Sequence, residues 1–570
     1  MDKKTIIIVI LLGILVLFYW PILRFLGLVE EPKQAEAPES GADTTAIVTD
    51  TMTLPTTPVP AAAAPSLDTS IQLVVPSIDS IKADTVIVQT ETYRAVLSSL
   101  GGGLVSLQLR QYKYRDGAPI EMLPENLRST PEAVFGGGTF TTSAVPFACN
   151  LVSGTHDATG RPLEVVYTYA PQTGGRIERR YTFYPERHDF GLSLAVDNPS
   201  AFGFERAYTI SWNTPLAPTE PNVKTDYQEF QAVAMMGGSR VTLDDFNDGV
   251  MKQTQEGEVA WAGVRSKYFA AVLIPRSRPG EGVSAEGTRK ELILTEGTVE
   301  QRSITAGVAM PFASISPIAD SFTVFVGPLD YMMMSDYGVD LEDMLGIGTT
   351  PYVGWIIKPF AIAIMWIMPR LYTVVPNYGI VIILFALLVK LVTLPLSMRS
   401  FRSMQAMKDL QPKVEELKQR YKKDPQRMNQ EMMKMYKAHG VNPLSGCLPI
   451  LPQMPLFFAL FSVFRSTILL RNAPFVWFID DLSRGARSLS DPYIILVILM
   501  VLAQFVSQKL TMGTSSQQNK LLGYLMPPLM GFIFYQFAAG LVLYWASFSI
   551  MALLDYVIFK RPKNLEVKAA

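Results

Sequence analysis

The chain has 570 residues and 49% hydrophobic composition, and its 50 Lys and Arg against 51 Asp and Glu leave a formal net charge of −1, so global charge points to no class of partner. Two cysteines, Cys149 and Cys447, and three scattered histidines, His156, His188 and His439, indicate neither a disulfide framework nor a structural zinc site, and metal binding is set aside. The hydrophobicity is concentrated in one run at the N-terminus and several after residue 350, with a mixed polar region between, which describes a membrane protein with a large soluble insert.

The first apolar run, Thr5 to Leu23, follows Lys3 and Lys4 and lacks a small-residue cleavage site, so residues 1–29 read as an uncleaved anchor with a cytoplasmic N-terminus. Residues 30–84, rich in Ala, Pro, Thr, Ser and acidic residues, read as a disordered tether. Residues 85–330 show period-two runs bounded by Gly and Pro: Val105, Leu107 and Leu109; Leu163, Val165, Tyr167 and Tyr169; Leu192, Leu194 and Val196; Phe322, Val324 and Val326. Such alternation predicts half-buried strands, and the segment is long enough to bury its own core as an exported β-sandwich-like domain. Little chemistry is legible in it. Gly282 to Gly287 has phosphate-loop spacing but lacks the following lysine, and Gly101-Gly102-Gly103 reads as a strand-joining turn.

Residues 331–376 form a linker and an interfacial amphipathic helix, Tyr352 to Tyr372, broken by Pro359 and Pro369. Full spans are expected at 377–397, 441–469, 492–511, 520–537 and 540–559, separated by a cytoplasmic hairpin at 398–440, an outer loop at 470–491 and an inner loop at 512–519, and followed by a tail at 560–570. Eleven Lys or Arg lie between Arg399 and Lys437, and the tail adds Lys560, Arg561, Lys563 and Lys568. Positive-inside bias therefore puts both termini in the cytoplasm and the β domain outside.

The first of these spans holds Lys390 among apolar residues. Lys at a helix centre costs roughly 2.5 to 3.5 kcal/mol while each Leu, Ile, Val or Phe returns about 0.3 to 0.6, so the segment still inserts. Read alone, the lysine either snorkels to a headgroup or serves function. In the hairpin, Met407, Leu410, Val414, Leu417 and Tyr421 have helical spacing. Lys423-Asp424-Pro425 then supplies a break, an N-cap and a first-turn proline, and Met428, Met432 and Met435 resume the stripe up to Gly440 as C-cap. The bland account is a packed hairpin whose lysines set topology. The sharper one is an adaptable basic surface, with Met407, Leu410, Lys413, Met428 and Met432 as contacts, that meets nascent apolar segments, anionic lipid or ribosomal RNA. Pro449, Pro452 and Pro455 distort the span that follows.

Seven short motifs in order, Leu410-Gln-Pro-Lys413, Gln430-Glu-Met-Met433, Tyr436-Lys437, Asn442-Pro-Leu444, Gly446-Cys447, Gln453-Met-Pro455 and Gly540-Leu-Val-Leu-Tyr544, resemble the signatures of the YidC/Oxa/Alb membrane insertases. Gly327-Pro328, which closes the β domain, resembles the Gram-negative bacterial form with a large periplasmic domain. The fold class is thus a polytopic α-helical membrane protein, an N-terminal anchor plus a five-helix insertase core, with an exported β-sandwich-like domain and a cytoplasmic helical hairpin. The resemblance implies a hydrophilic groove, open to cytoplasm and lipid and closed outward, that holds one cation. Most bacterial relatives carry arginine there, and Lys390 matches that position, keeping the charge but losing the planar fork. Tyr544 and Trp545 match the aromatic pair that contacts substrate. Gln504 and Gln508, one turn apart, are added to the groove from periodicity alone.

Asp555 departs from the neutral polar residue of relatives. Counted from the outer helix ends at 1.5 Å per residue, Lys390 and Asp555 reach roughly 18 and 22 Å, so Asp555 is either an ion-pair partner of Lys390 or a headgroup-level residue beside Lys560 and Arg561. The implied activity is insertion and folding of nascent integral membrane proteins in the bacterial inner membrane, alone or with the Sec translocase, with membrane lipids and the ribosome and signal recognition particle pathway as further partners. It needs neither an enzymatic step nor a cofactor. Two alternatives stand beside it: a secondary transporter using Lys390 and Asp555, against which no repeated half with broken helices is seen, and an envelope scaffold acting through the periplasmic domain.

Overall fold

The computed structural model describes residues 83–559 except 126–127, 173, 203, 205–206, 295–296, 313–315, 350–352, 423, 442–449 and 512–516. The expected anchor, the tether up to residue 82, the inner-loop residues 512–516, the 442–449 segment with Pro449, and the tail lie outside the described residues.

Residues 85–328 form two sheets. Strand Arg176–Phe183 shows how sequence becomes register: Ile177, Arg179, Tyr181 and Phe183 are buried and the residues between them are not. A five-stranded sheet runs Pro119–Glu121, Gly103–Lys113, Tyr93–Ser98, Thr85–Gln89 and Gly154–Asp157, with only the last pairing parallel. Gly101 and Gly102, both at positive φ, turn the chain between the second and third of these, as the triple glycine predicts. A fourteen-stranded sheet contains all three alternating runs after residue 160 that the sequence marks, and the run at 105–109 lies in the five-stranded one. Gly282 to Gly287 lies inside its strand Gly280–Leu294, paired on both sides, and forms no loop. The two sheets meet through side chains of strand Arg176–Phe183: buried Arg179 donates to the carbonyls of Gly101 and Pro131, and the Tyr181 hydroxyl donates to that of Gly102 at 2.9 Å.

The first helix, α1 (Val223–Gln228), is short and capped by Asn222, whose side chain accepts from the Thr225 N–H. Helix α2 (Tyr331–Ser335) is capped in the same way by Asp330. The 331–347 stretch, expected as linker, instead packs onto the sheet. Trp261 Nε1 donates to the Val339 carbonyl at 2.9 Å, Arg265 donates to the Met344 and Leu345 carbonyls, and Met334, Leu341 and Met344 are fully buried. Its spacing of Leu341, Met344 and Leu345 is too short to read as a period, which is why the packing was not legible.

Helix α3 (Gly354–Val374) is continuous through Pro359 and Pro369, contrary to the expected breaks. Each proline removes one backbone bond, and packing of the Ile357, Ala361, Ile364 and Met368 face against the neighbouring helix keeps the turns together. That neighbour is α7 (Ile450–Ser466). Before it come α4 (Tyr378–Asp409), α5 (Gln411–Arg420) and α6 (Pro425–Ala438). After it come α8 (Ile494–Thr511), α9 (Gln517–Phe534) and α10 (Ala539–Phe559). By length and composition α3 and Tyr378–Met407 of α4 can each cross a membrane, and α8, α9 and α10 contain shorter apolar stretches. Helix α10 packs on α8 and α4, and α8 packs on α9. One hydrophobic cluster runs from the sheet, through Trp261 and Phe325, into α3, α4, α7, α8 and α10.

Candidate functional site

Lys390 sits midway along α4 and is 7% exposed. Its Nζ lies 5.0 Å from the centroid of the Phe548 ring on α10, a cation–π distance. One turn earlier on α10, Tyr544 is 1% exposed, with ring centroids 6.1 Å from Phe385 of α4 and 6.0 Å from Phe548. The sequence pattern thus brings Lys390 and Tyr544 together through two phenylalanines it did not single out. Phe548 follows Tyr544 by four residues, the spacing that puts both on one helix face.

Trp545, adjacent in sequence, turns about 100° away on the helix. It packs edge-on against Phe457 of α7 at 5.3 Å and against Phe534 of α9 at 5.8 Å. Tyr544 and Trp545 therefore belong to two neighbouring aromatic clusters, not to one paired surface. Gln504 and Gln508 lie half-buried on α8, which packs against α10, and among the described residues the Gln504 Oε1 is buried without a hydrogen-bond partner. Ser547 and Ser549 add buried hydroxyls on α10 that sequence reasoning passed over, although two serines within an apolar span are themselves a signal. The Asp555 side chain lies outside the described residues.

The ends of these helices nearest the loop between α7 and α8 are stitched together by main chain. In the loop between α7 and α8, the N–H of Ala486 donates to the Tyr535 carbonyl at 2.9 Å. Ala539 donates to Arg484 at 2.8 Å and Gly540 to Leu482 at 2.9 Å. Leu470, Ile479 and Leu482 of this loop are buried. Gly379, at the start of α4, is pressed so closely by Phe475 of this loop that a Cβ there would meet the ring at 2.0 Å.

The same helix ends carry a polar joint to the β region. Asp226 on α1 accepts from the Thr219 and Glu220 N–H groups at 2.7 and 3.2 Å and so fixes the backbone at Glu220. Arg471, just past α7, donates from Nε to Glu220 at 2.6 Å and from its other nitrogens to the carbonyls of Lys113 and Thr219 at 2.8 and 3.2 Å. Both side chains of this pair are nearly buried. Arg465, in the last turn of α7, donates to Glu229 at 2.6 Å, and Arg265 approaches the same carboxylate at 3.8 Å. Burial pushes the Glu220 carboxyl above its usual range despite the pull of Arg471. Burial also pushes Glu229 up, but Arg465 and Arg265 more than offset it and hold that carboxyl below its usual range.

The hairpin has the expected second helix. Asp424 caps α6 by accepting from the Arg427 N–H at 3.0 Å. At the other end Gly440, at φ 66°, closes a Schellman turn with Val441 N–H donating to Tyr436 and Gly440 N–H to Lys437. The first half differs from expectation. Met407 belongs to the C-terminal end of α4, which runs on to Asp409, and a new helix begins at Gln411 because Pro412 fits only a first turn. Leu410 is buried at this break. Met428 and Met432 are half-buried on α6, and Lys413 Nζ lies 3.0 Å from His439 Nε2, across the hairpin. Among the described residues no group of His, Cys, Asp and Glu is arranged to hold a metal ion.

Comparisons with known proteins cover both regions. Residues 85–363 match the family model described as the YidC periplasmic domain, and residues 370–566 match that of the 60Kd inner membrane protein. The membrane protein insertase YidC of Chlorobium luteolum is 33% identical over 508 residues, which are 86% of this chain and 85% of the relative. That of Chlorobaculum tepidum is 34% identical over 505 residues, 85% of this chain and 83% of the relative. Among solved structures, the crystal structure of an active YidC insertase with its first transmembrane domain resolved aligns at 19% identity with a TM-score of 0.36, covering 85% of this chain and 94% of that one.

Proposed function

The chain belongs to the YidC membrane protein insertases, an inner-membrane family without enzymatic activity, and from that premise we propose that Lys390 is the cation that draws substrate into this insertase. The observation that carries the reading is the Lys390 ammonium, buried mid-helix over Phe548 and beside Tyr544, where a charge in apolar surroundings is costly to keep.

In this reading a nascent membrane protein arrives by way of the α5–α6 hairpin, with Met407, Leu410, Lys413, Met428 and Met432 as its contacts. A short acidic tail moves toward Lys390, past the amides of Gln504 and Gln508. Weaker screening in the low-dielectric helix bundle strengthens that attraction. The apolar segment then leaves past Tyr544 and Trp545 into lipid, where burial at about 25 cal/mol per Å² drives the step. A membrane potential positive outside favours the same outward movement of acidic tails. The stitched loop between α7 and α8 is the outward closure, the β region is a sandwich-like domain outside the membrane, and both termini are cytoplasmic. Insertion proceeds alone or with the Sec translocase, and the ribosome and signal recognition particle pathway deliver substrate. Asp555, if paired with Lys390, is the carboxylate that an acidic tail displaces.

Photo-crosslinkers placed at positions 390, 504 and 545 and challenged with a ribosome-stalled nascent membrane protein test the path. Adducts at all three positions, strongest while the first apolar segment is emerging, are expected. The absence of adducts at 390 and 504 contradicts it.

A further inference from the structure

We propose that Trp477, at the tip of the loop between α7 and α8, is a membrane anchor that seats this loop in the headgroup boundary of the outer leaflet. The proposal rests on the reading that this loop faces the outer side.

Five non-glycine residues among those described have positive φ; four are Asn or Asp, whose short polar side chains tolerate that conformation, and the fifth is Trp477 at 43°. A bulky ring is therefore held in a backbone conformation that disfavours it. The turn is fixed by local bonds, Phe475 N–H to the Ile479 carbonyl at 3.0 Å and Ile479 N–H to that of Val476 at 2.8 Å. What the strained turn achieves is display: Trp477 is 101% exposed, and Val476 beside it is 47% exposed. Indole left wholly in water gains nothing for the fold, so the conformation points to a ligand for the ring.

The position identifies the ligand. Phe475 wedges against Gly379 and its carbonyl accepts from the Asn377 side chain at 3.5 Å, which places the loop tip beside the first turn of α4, where an apolar helix begins. The chain enters that corner from α3, whose outward face carries Trp355 and Trp366, both exposed, with the Arg370 guanidinium 3.6 Å above the Trp366 ring. Trp212 and Trp261 are buried in the β region, and Trp545 is half-buried between helices. The exposed tryptophans among the described residues thus all lie on the two segments that meet at the start of α4. Tryptophan prefers the headgroup level, where its ring is apolar and its N–H stays wet, so a lipid surface fits this corner. Because the same loop is stitched to the ends of α9 and α10, seating Trp477 sets the depth of the outward closure.

The test uses the full chain in phosphatidylethanolamine and phosphatidylglycerol vesicles containing lipids brominated near the headgroup or deep in the chain. The Trp477 signal is the difference between wild type and Trp477→Phe. That signal is expected to be quenched about twofold more by shallow than by deep bromine and little by iodide. Trp477→Gly, which suits the left-handed backbone, is expected to fold at least as well in detergent and to lose the quenched component. A component quenched by iodide and indifferent to bromine, or one that changes only when an insertion substrate is added, overturns the anchor. Labelling of Arg487→Cys, in a chain with Cys149→Ser and Cys447→Ser, by an impermeant maleimide separates the two levels. Labelling from the outer side together with iodide quenching sinks the anchor alone, whereas labelling only from the inner side sinks the orientation and the anchor together.

Discussion

Two of the places where the described residues bury cations do it in opposite ways. At the joint between the β region and the helix ends, Arg471 makes three hydrogen bonds with fixed partners, one to a carboxylate, and Arg465 meets Glu229. In the helix core, Lys390 lies over the face of a phenylalanine on a stem of four rotatable carbons. The planar fork suits a joint that must keep one geometry. An ammonium on a flexible stem suits a site that meets many substrate tails. Buried charge is therefore structural in one region and, on the proposed function, operational in the other.

The largest effect expected from breaking this contrast is at the joint. Glu220→Ala leaves Arg471 buried without its carboxylate, and it should cost about 3 to 5 kcal/mol, read as a fall in the denaturation midpoint of the detergent-solubilised protein. Replacing both partners, Glu220→Leu with Arg471→Met, should recover most of that loss, because the penalty comes from the stranded charge. In the core, Lys390→Ala should leave stability near wild type while slowing insertion of an acidic-tailed substrate about tenfold, or about 1.4 kcal/mol, in reconstituted vesicles. The hairpin is a smaller case: Asp424→Ala should cost about 1 kcal/mol, visible as faster amide exchange at the start of α6.

The smallest effect is a pH dependence whose sign differs within the joint. Glu229 is held below its ordinary value of 4.5, so its stabilisation is complete above that pH and lost as pH falls through the folded-state value. The stability gap between wild type and Glu229→Gln should therefore close on acidification. Glu220 is raised, so its contribution runs the other way, strongest at low pH and shrinking as pH rises through its folded-state value. Parallel pH titrations of the two Gln variants against wild type read both signs.

Legibility followed the range of the interactions. Period-two runs such as Leu192, Leu194 and Val196 gave strands because alternation is local, and Asp424-Pro425 gave a helix start because a cap acts within one turn. The break at Leu410 is equally local but masked, since the apolar spacing runs smoothly across it and Pro412 alone marks the new first turn. The joint was not readable. Glu220 and Arg471 are 251 positions apart and carry no motif, so only the fold brings them together. The core site lies between these cases. Lys390 stood out as a charge inside an apolar run, and Tyr544 and Trp545 as a motif, but helix rotation separates the two aromatics and supplies Phe548 in their place.

The most direct measurement reverses the charge. Insertion of a single-span substrate with either an acidic or a basic N-terminal tail is compared in vesicles carrying wild type or Lys390→Glu. The account predicts that wild type favours the acidic tail and that Lys390→Glu favours the basic one. Equal insertion of both tails by both proteins would contradict it.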